Sequence, residues 1–221
     1  MAVLYVVGTP IGNLEDMTLR ALRILKEVDL IACEDTRVTK KLLVHYQINK
    51  PLVSYHQHSQ ISKINFLIQE LMVGKKVALV TDAGMPGISD PGSLLVKAAV
   101  QENIKVEVIP GPSAATAALS VSGLPVDRFL FLGFLPHKKG RETMIKEIIA
   151  SEQSVIFYES VHRILKTLGQ LKQFGLKRQL VVCRELTKKF ESIYRGTVEE
   201  VLEQLLKDRV KGEFVVIVSN K

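Results

Sequence analysis

Apolar positions fall into short solid blocks alternating with stripes at helical spacing. Leu4 to Val7 reads as a strand and leads into the loop Gly8 to Asn13. Asp16 or Thr18 can then cap a helix whose inner face is Leu19, Leu22 and Leu25. Asp29 to Cys33 is the next strand, and the helix after it carries Leu42 and Leu43 inward. Pro51 to Tyr55 is a short strand. Ile61, Ile64, Leu67, Ile68 and Leu71 mark an amphipathic helix that stops at Gly74. Val77 to Val80 is apolar throughout, as an interior strand of a parallel sheet tends to be. A helix over about 93–102, the strand Val106 to Ile109 and a small-residue helix from Ser113 to Val121 follow. Strict alternation of strand and helix predicts a mostly parallel sheet with helices on both faces.

Beyond Ser122-Gly-Leu-Pro125 the pattern changes. Strands are predicted at 129–134, 155–158, 180–184 and 214–218, with helices at 141–150, 161–174 and 197–207. Late strands joined by short turns favour a mixed sheet. The expected organisation is therefore two α/β domains, residues 1–121 with a mostly parallel sheet and 126–221 with a mixed one, a division that 221 residues accommodate.

The stretch 77–92 (VALVTDAGMPGISDPG) is the most informative. Gly84, Pro86, Gly87, Pro91 and Gly92 break any regular structure after the strand, and Asp82 and Asp90 each follow a hydroxyl residue. Loops at the carboxyl ends of parallel strands are where open α/β sheets place ligands, and 8–13 and 110–113 share that address. Neither G-x-G-x-x-G nor a P-loop motif is present. Prolines in all three loops remove backbone donors, and two acids repel phosphate, so a neutral or cationic nucleoside fits better than a nucleotide. Asp90 has a second reading, as a cap for the helix that follows it.

Composition adds three constraints. Thirty basic against twenty-three acidic residues give a formal charge of +7, compatible with a polyanionic partner. Aromatic residues make up 6%, with no Trp, and offer no base-stacking platform. No apolar run approaches a membrane span, and no secretory signal opens the chain, so Cys33 and Cys183 are expected as reduced, buried thiols in a cytoplasmic protein.

Several groups are candidates for chemistry. Glu34 and Asp35 follow a strand and suit acid–base work or helix capping. His56 and His58 lie two apart with no third residue at ligand spacing, so a cleft-facing strand end is favoured over a metal, and none is expected. Arg184, Glu185, Lys188 and Lys189, and the loop cations Lys138, Lys139 and Arg141, read as contacts to a polyanion or as solvated charge.

The strings GTPIGNLEDMTLRAL and TDAGMPGISDPG, together with CEDTR (33–37), PGPSA (110–114), SGLP (122–125), FLGFLP (131–136), FYESVHR (157–163) and RELTKKFE (184–191), closely resemble the small-subunit rRNA cytidine-2′-O-methyltransferases. These belong to the tetrapyrrole methylase superfamily, with precorrin methylases and diphthine synthase. The resemblance spans nearly the whole chain, and CEDTR, SGLP, FLGFLP and RELTKKFE point to the RNA-modifying branch.

The resemblance implies S-adenosylmethionine in a cleft between two α/β domains, touching Pro10, Asp82, Gly84, Met85, Ser113, Ala114, Tyr158 and Cys183. It implies a 2′-O-methylation of a cytidine in 16S rRNA, in the decoding region of the small ribosomal subunit, by a homodimer. Candidate bases are Glu34, Asp35, His56 and Glu185. Candidate RNA contacts are Arg37, Lys40, Lys138, Lys139, Arg141, Arg163, Arg184, Lys188 and Lys189. Met85 fills a variable slot of the central motif. Ser59 and Gln60 depart from the Asn and acid common among relatives, which weakens any essential charge there. The competing readings are a precorrin-type tetrapyrrole methylase using the same cleft and a non-catalytic RNA-binding module.

Overall fold

The computed structural model describes residues 2–55, 60–208 and 210–221. The chain forms two compact units, Met1–Ser113 and Ala114–Lys221.

The first unit is built on five strands: β1 (Val3–Val7), β2 (Leu30–Cys33), β3 (Leu52–Ser54), β4 (Lys76–Leu79) and β5 (Lys105–Ile109). They lie in the order β3-β2-β4-β1-β5, every pair parallel. Alternation along the two central strands sorts the core. Leu4, Val6, Val77 and Leu79 pack with α3 (Gln60–Met72) and α4 (Gly92–Gln101). Val7, Ala78 and Val80 pack with α1 (Leu19–Glu27) and α2 (Thr36–His45) on the opposite face. Leu25, Leu67 and Leu95 are fully buried, each worth about 1.5–3 kcal/mol relative to exposure. Thr18 caps α1, its hydroxyl accepting from the Ala21 N–H; Asp16 sits instead in a one-turn 3-10 helix, Leu14–Asp16.

This topology creates the position that matters. The chain leaves β1 through α1 towards β2, and leaves its neighbour β4 through α4 towards β5, on the other face. Between β1 and β4 the two connections diverge, and a crevice opens at the carboxyl edge.

The second unit carries β6 (Phe129–Phe134), β7 (Ser154–Ser160), β8 (Leu180–Arg184), β9 (Ser192–Gly196) and β10 (Glu213–Val218). The order is β6-β7-β10-β8-β9, with β6 parallel to β7 and the remaining pairs antiparallel. α6 (Arg141–Ala150), α7 (Ile164–Gln173) and α8 (Val198–Lys207) cover one face through Ile145, Ile148, Leu168, Leu171, Val201 and Leu205. A full capping box, Thr197 with Glu200, starts α8.

Leu19 and Ile61, expected on the apolar faces of their helices, are exposed, and two larger features also differ from the sequence expectation. The strand β9 lies just after the charge run 184–191, where no element was expected; it is a five-residue edge strand, and its inward Tyr194 is its main apolar anchor. The expected division fell at 122–125, whereas the compact units divide after Ser113, so that α5 (Ala114–Ser122) goes with the second. The reason is local: α5 packs on β10, and the Arg195 guanidinium of β9 donates to the Val121 and Ser122 carbonyls at its end.

Candidate site at the carboxyl edge of the first sheet

Three of the loops expected to share an address are stitched together here. Thr9 and Gly84 form an isolated antiparallel bridge, with N···O distances of 2.9 and 3.1 Å. The buried Thr9 hydroxyl lies 3.0 Å from the Thr81 carbonyl. A Cβ on Gly8 would stand 2.6 Å from the Gly111 Cα and 2.7 Å from the Met85 sulfur, so the first and third loops touch backbone to backbone. Gly84 has φ +86°, the left-handed region that favours glycine. Pro10, Gly84 and Pro86 are buried, and Asp82, Met85 and Ser113 half-buried.

The acids divide into two sets. Asp82 Oδ1 accepts from the Asp35 backbone N–H at 3.2 Å, tying the central loop to the end of β2. Glu34 Oε2 accepts from the Thr81 hydroxyl at 2.9 Å. Asp90 Oδ1 accepts from the Gly87 and Gly92 N–H groups at 2.8 and 2.7 Å. It thereby closes its own loop and takes one donor from the first residue of α4, while Pro91, the N-cap, gives no side-chain bond. Burial pushes the Asp90 carboxyl above its ordinary range against these two donors, and the Glu34 charge adds to the effect. Sequence reasoning missed Tyr55. Its hydroxyl is buried without a hydrogen-bond partner among the described residues, and burial, followed by the charges of Asp90 and Glu34, raises its pKa well above that of a free phenol.

The four candidate bases separate on this geometry. Arg37 grips both Asp35 carboxylate oxygens, at 2.6–3.1 Å, and its side-chain and backbone hydrogen bonds bring the Asp35 pKa down to about 2. A carboxylate so strongly held is a weak base. Glu185, at φ +52°, accepts from Lys188 Nζ at 2.9 Å and from the Glu213 N–H at 3.0 Å. Burial works against its charge, but these donors prevail and its pKa falls below the usual value. It too is a poor base. His56 lies outside the described residues. Glu34 keeps one oxygen, Oε1, with no protein donor among the described residues.

In the second unit, Tyr158 and Cys183 fall in one row across the sheet. Val215 of β10 pairs with Tyr158 on one side and Cys183 on the other. Tyr158 meets the rings of Phe131 and Phe134 at 5.1 and 5.4 Å. The Cys183 thiol is pushed up to about 11 by burial, which makes it packing rather than a nucleophile.

Three expected RNA contacts need correction. Arg141 is buried, and its guanidinium is shared among Glu159, Gln170, Thr167 and the Pro136 carbonyl. Arg163 bridges the same Glu159 and the Leu135 carbonyl. Arg184, also buried, is held by Asp208 and the Lys211 carbonyl. None has a free face for a phosphate. Lys188 is paired with Glu185 and Glu213. Arg37, Lys40, Lys138, Lys139 and Lys189 are exposed.

With the geometry in place, comparison with known proteins settles the family. The sequence model of the tetrapyrrole (corrin/porphyrin) methylases matches residues 3–202. The chain belongs to this family. It is 51% identical over 218 residues, 98% of this chain and 97% of the relative, to the ribosomal RNA small subunit methyltransferase I of Mycoplasmopsis pulmonis. It is 45% identical over the full length of both chains to the protein of the same name from Thermotoga maritima. Solved structures share the fold at lower identity. A cobalt precorrin-4 methyltransferase superposes at TM-score 0.73 with 16% identity, over 98% of this chain and 94% of its own. A diphthine synthase does so at 0.74 with 16%, over 98% and 89%. The tetrapyrrole methylases use S-adenosylmethionine, and the chain is a methyltransferase of that class, as the resemblance implied. The first sheet's edge suits such a donor: Asp82 and Glu34 place carboxylate acceptors there, and Pro10, Pro86 and Pro110 lack an N–H, which fits ribose hydroxyls and a sulfonium charge.

Proposed function

We propose that the chain transfers a methyl group from S-adenosylmethionine to the ribose 2′-hydroxyl of a cytidine in small-subunit rRNA. The observation that carries this reading is the 51% identity, over nearly both full lengths, to a protein named for methylating that RNA. When bound, S-adenosylmethionine supplies a methyl group on a sulfonium centre, already strongly electrophilic. The protein's task is then placement and removal of one proton.

Pro10, Asp82, Gly84, Met85 and Ser113 hold the donor on this reading. Asp82 accepts from ribose hydroxyls while the Asp35 N–H fixes its carboxylate. Glu34 is the base. Thr81 spends its only hydroxyl hydrogen on Glu34 Oε2, orienting the carboxylate so that Oε1 can take the proton from the 2′-oxygen as that oxygen bonds carbon. The enzyme acts as a homodimer in the cytoplasm.

Incubation of the protein with labelled S-adenosylmethionine and either unmodified small ribosomal subunits or a uroporphyrinogen tests the reading. Label in the subunit's rRNA supports it. Label in the macrocycle alone would transfer the chain to the tetrapyrrole branch, whose members share the fold.

A further inference from the structure

Most arginines that the sequence offered for RNA are engaged inside the protein, which raises the question of where free cations gather. One place stands out in the second unit, at the carboxyl ends of α6 and α7. Arg178 lies there with its guanidinium donating to the carbonyls of Ile148, Ile149, Ser151 and Ser219. It ties the end of α6 to the chain following β10. Beside it opens a cavity of about 620 Å³, within the range of small-molecule sites. Its lining is apolar at Phe174 and Leu176 and basic at Lys146, Lys177, Arg178 and Lys221, with no Asp or Glu side chain among the lining residues.

Two details give the cavity a chemical preference. The Lys146 ammonium stands 5.4 Å from the centre of the Phe174 ring, so an aromatic face and a cation share one wall. Lys146 also meets Glu142 at 2.7 Å, but both side chains are more than 60% exposed; such a pair is worth about 0–1 kcal/mol and exchanges readily for a phosphate. Arg178 contributes charge, its hydrogen bonds being used, whereas Lys177 is exposed and Lys146, also exposed, reaches an anion by exchanging Glu142 for it. Together these call for a ligand with an anionic edge and a flat, weakly polar body.

We infer that this cavity binds one nucleotide of single-stranded rRNA, phosphate on Lys146 and Lys177 and base against Phe174, as an anchoring site separate from the site of methyl transfer. The inference rests on the reading that rRNA is the substrate. Stacking on aromatic rings and lysine contacts to phosphate are the general means by which unpaired RNA is held.

The test uses the full chain with S-adenosylmethionine present and a single-stranded rRNA fragment, affinity being measured over a range of salt. Lys146→Glu with Lys177→Glu should weaken binding at least tenfold. The neutral pair Lys146→Gln with Lys177→Gln should lower the slope of log affinity against log salt by about 1.4, two contacts at about 0.7 each on single strands. Phe174→Leu should weaken binding severalfold while leaving the salt slope unchanged. Calorimetric affinity for S-adenosylmethionine should be the same in all variants, which also verifies that they fold. Unchanged RNA affinity and slope in both lysine pairs would overturn the proposal. So would a defect confined to assembled subunits and absent on naked RNA, since that would assign the cavity to a ribosomal protein. If the wild type neither binds nor methylates rRNA, the failure lies in the functional reading instead.

Discussion

Glu34, the first residue beyond β2, and Thr81, the second beyond the neighbouring strand β4, are joined by a 2.9 Å hydrogen bond. Thr81 is itself pinned, because its carbonyl accepts from the buried Thr9 hydroxyl. A carboxylate held through one oxygen, by a residue with no freedom to move, is oriented without being neutralised. Asp35, one residue later, is neutralised by Arg37. This contrast is what supports the proposal of Glu34 as the base.

Glu34→Gln is accordingly expected to lower single-turnover methyl transfer by about 10²- to 10⁴-fold, the usual contribution of a positioned base. Calorimetry should find its affinity for S-adenosylmethionine unchanged. Loss of donor affinity in this variant would make Glu34 part of the donor site and remove it as the base. Thr81→Val should show a milder loss of rate, since the carboxylate remains but is no longer oriented.

Asp82→Ala should lower affinity for S-adenosylmethionine by about 10- to 100-fold, matching one or two hydrogen bonds to a charged acceptor. Titration calorimetry reads this directly. An unchanged dissociation constant would detach the central loop from the donor.

Asp90 gives a pH prediction. Its pKa is raised by burial, so the folded state holds its proton more tightly than the unfolded chain does. Its contribution to stability is therefore full below the unfolded value, about 3.9, and is lost as pH rises through the raised folded value. Asp90→Asn keeps an oxygen for the Gly87 and Gly92 N–H groups without the charge. Relative to wild type it should gain stability between pH 4 and pH 7 in paired thermal melts. Asp90→Ala, which strips both donors of their acceptor, should be destabilised by about 1–3 kcal/mol.

Glu159 is fully buried between Arg141 and Arg163. Removing it leaves two guanidinium groups without their counter-charge, and Glu159→Ala should cost about 3–5 kcal/mol in denaturant unfolding. Lys139→Ala, at an exposed loop position, should leave stability within about 0.5 kcal/mol.

These cases also mark what the sequence could reveal. The parallel sheet and its strand-end loops were legible because solid apolar blocks and Gly-Pro punctuation are local signals. The meeting of 8–13, 81–92 and 110–113 followed from that parallel order. The fates of Arg141, Arg163 and Arg184 did not: Glu159 sits 18 positions from Arg141 and Asp208 24 from Arg184, and although Glu159 is only four from Arg163, nothing in a charge run tells a buried pair from a solvated one. Tyr55 was passed over for a related reason: a lone tyrosine at a strand end gains its meaning only from Glu34 and Asp90, brought in by other strands. Likewise β9 is an edge strand, with few apolar positions to betray it.

The most direct test of the account is to digest methylated rRNA to nucleosides after reaction with labelled S-adenosylmethionine and to identify the labelled product by mass. Label in 2′-O-methylcytidine, present with the wild type and nearly absent with Glu34→Gln, is the result predicted. Label on a nucleobase, or equal label with both proteins, would contradict it.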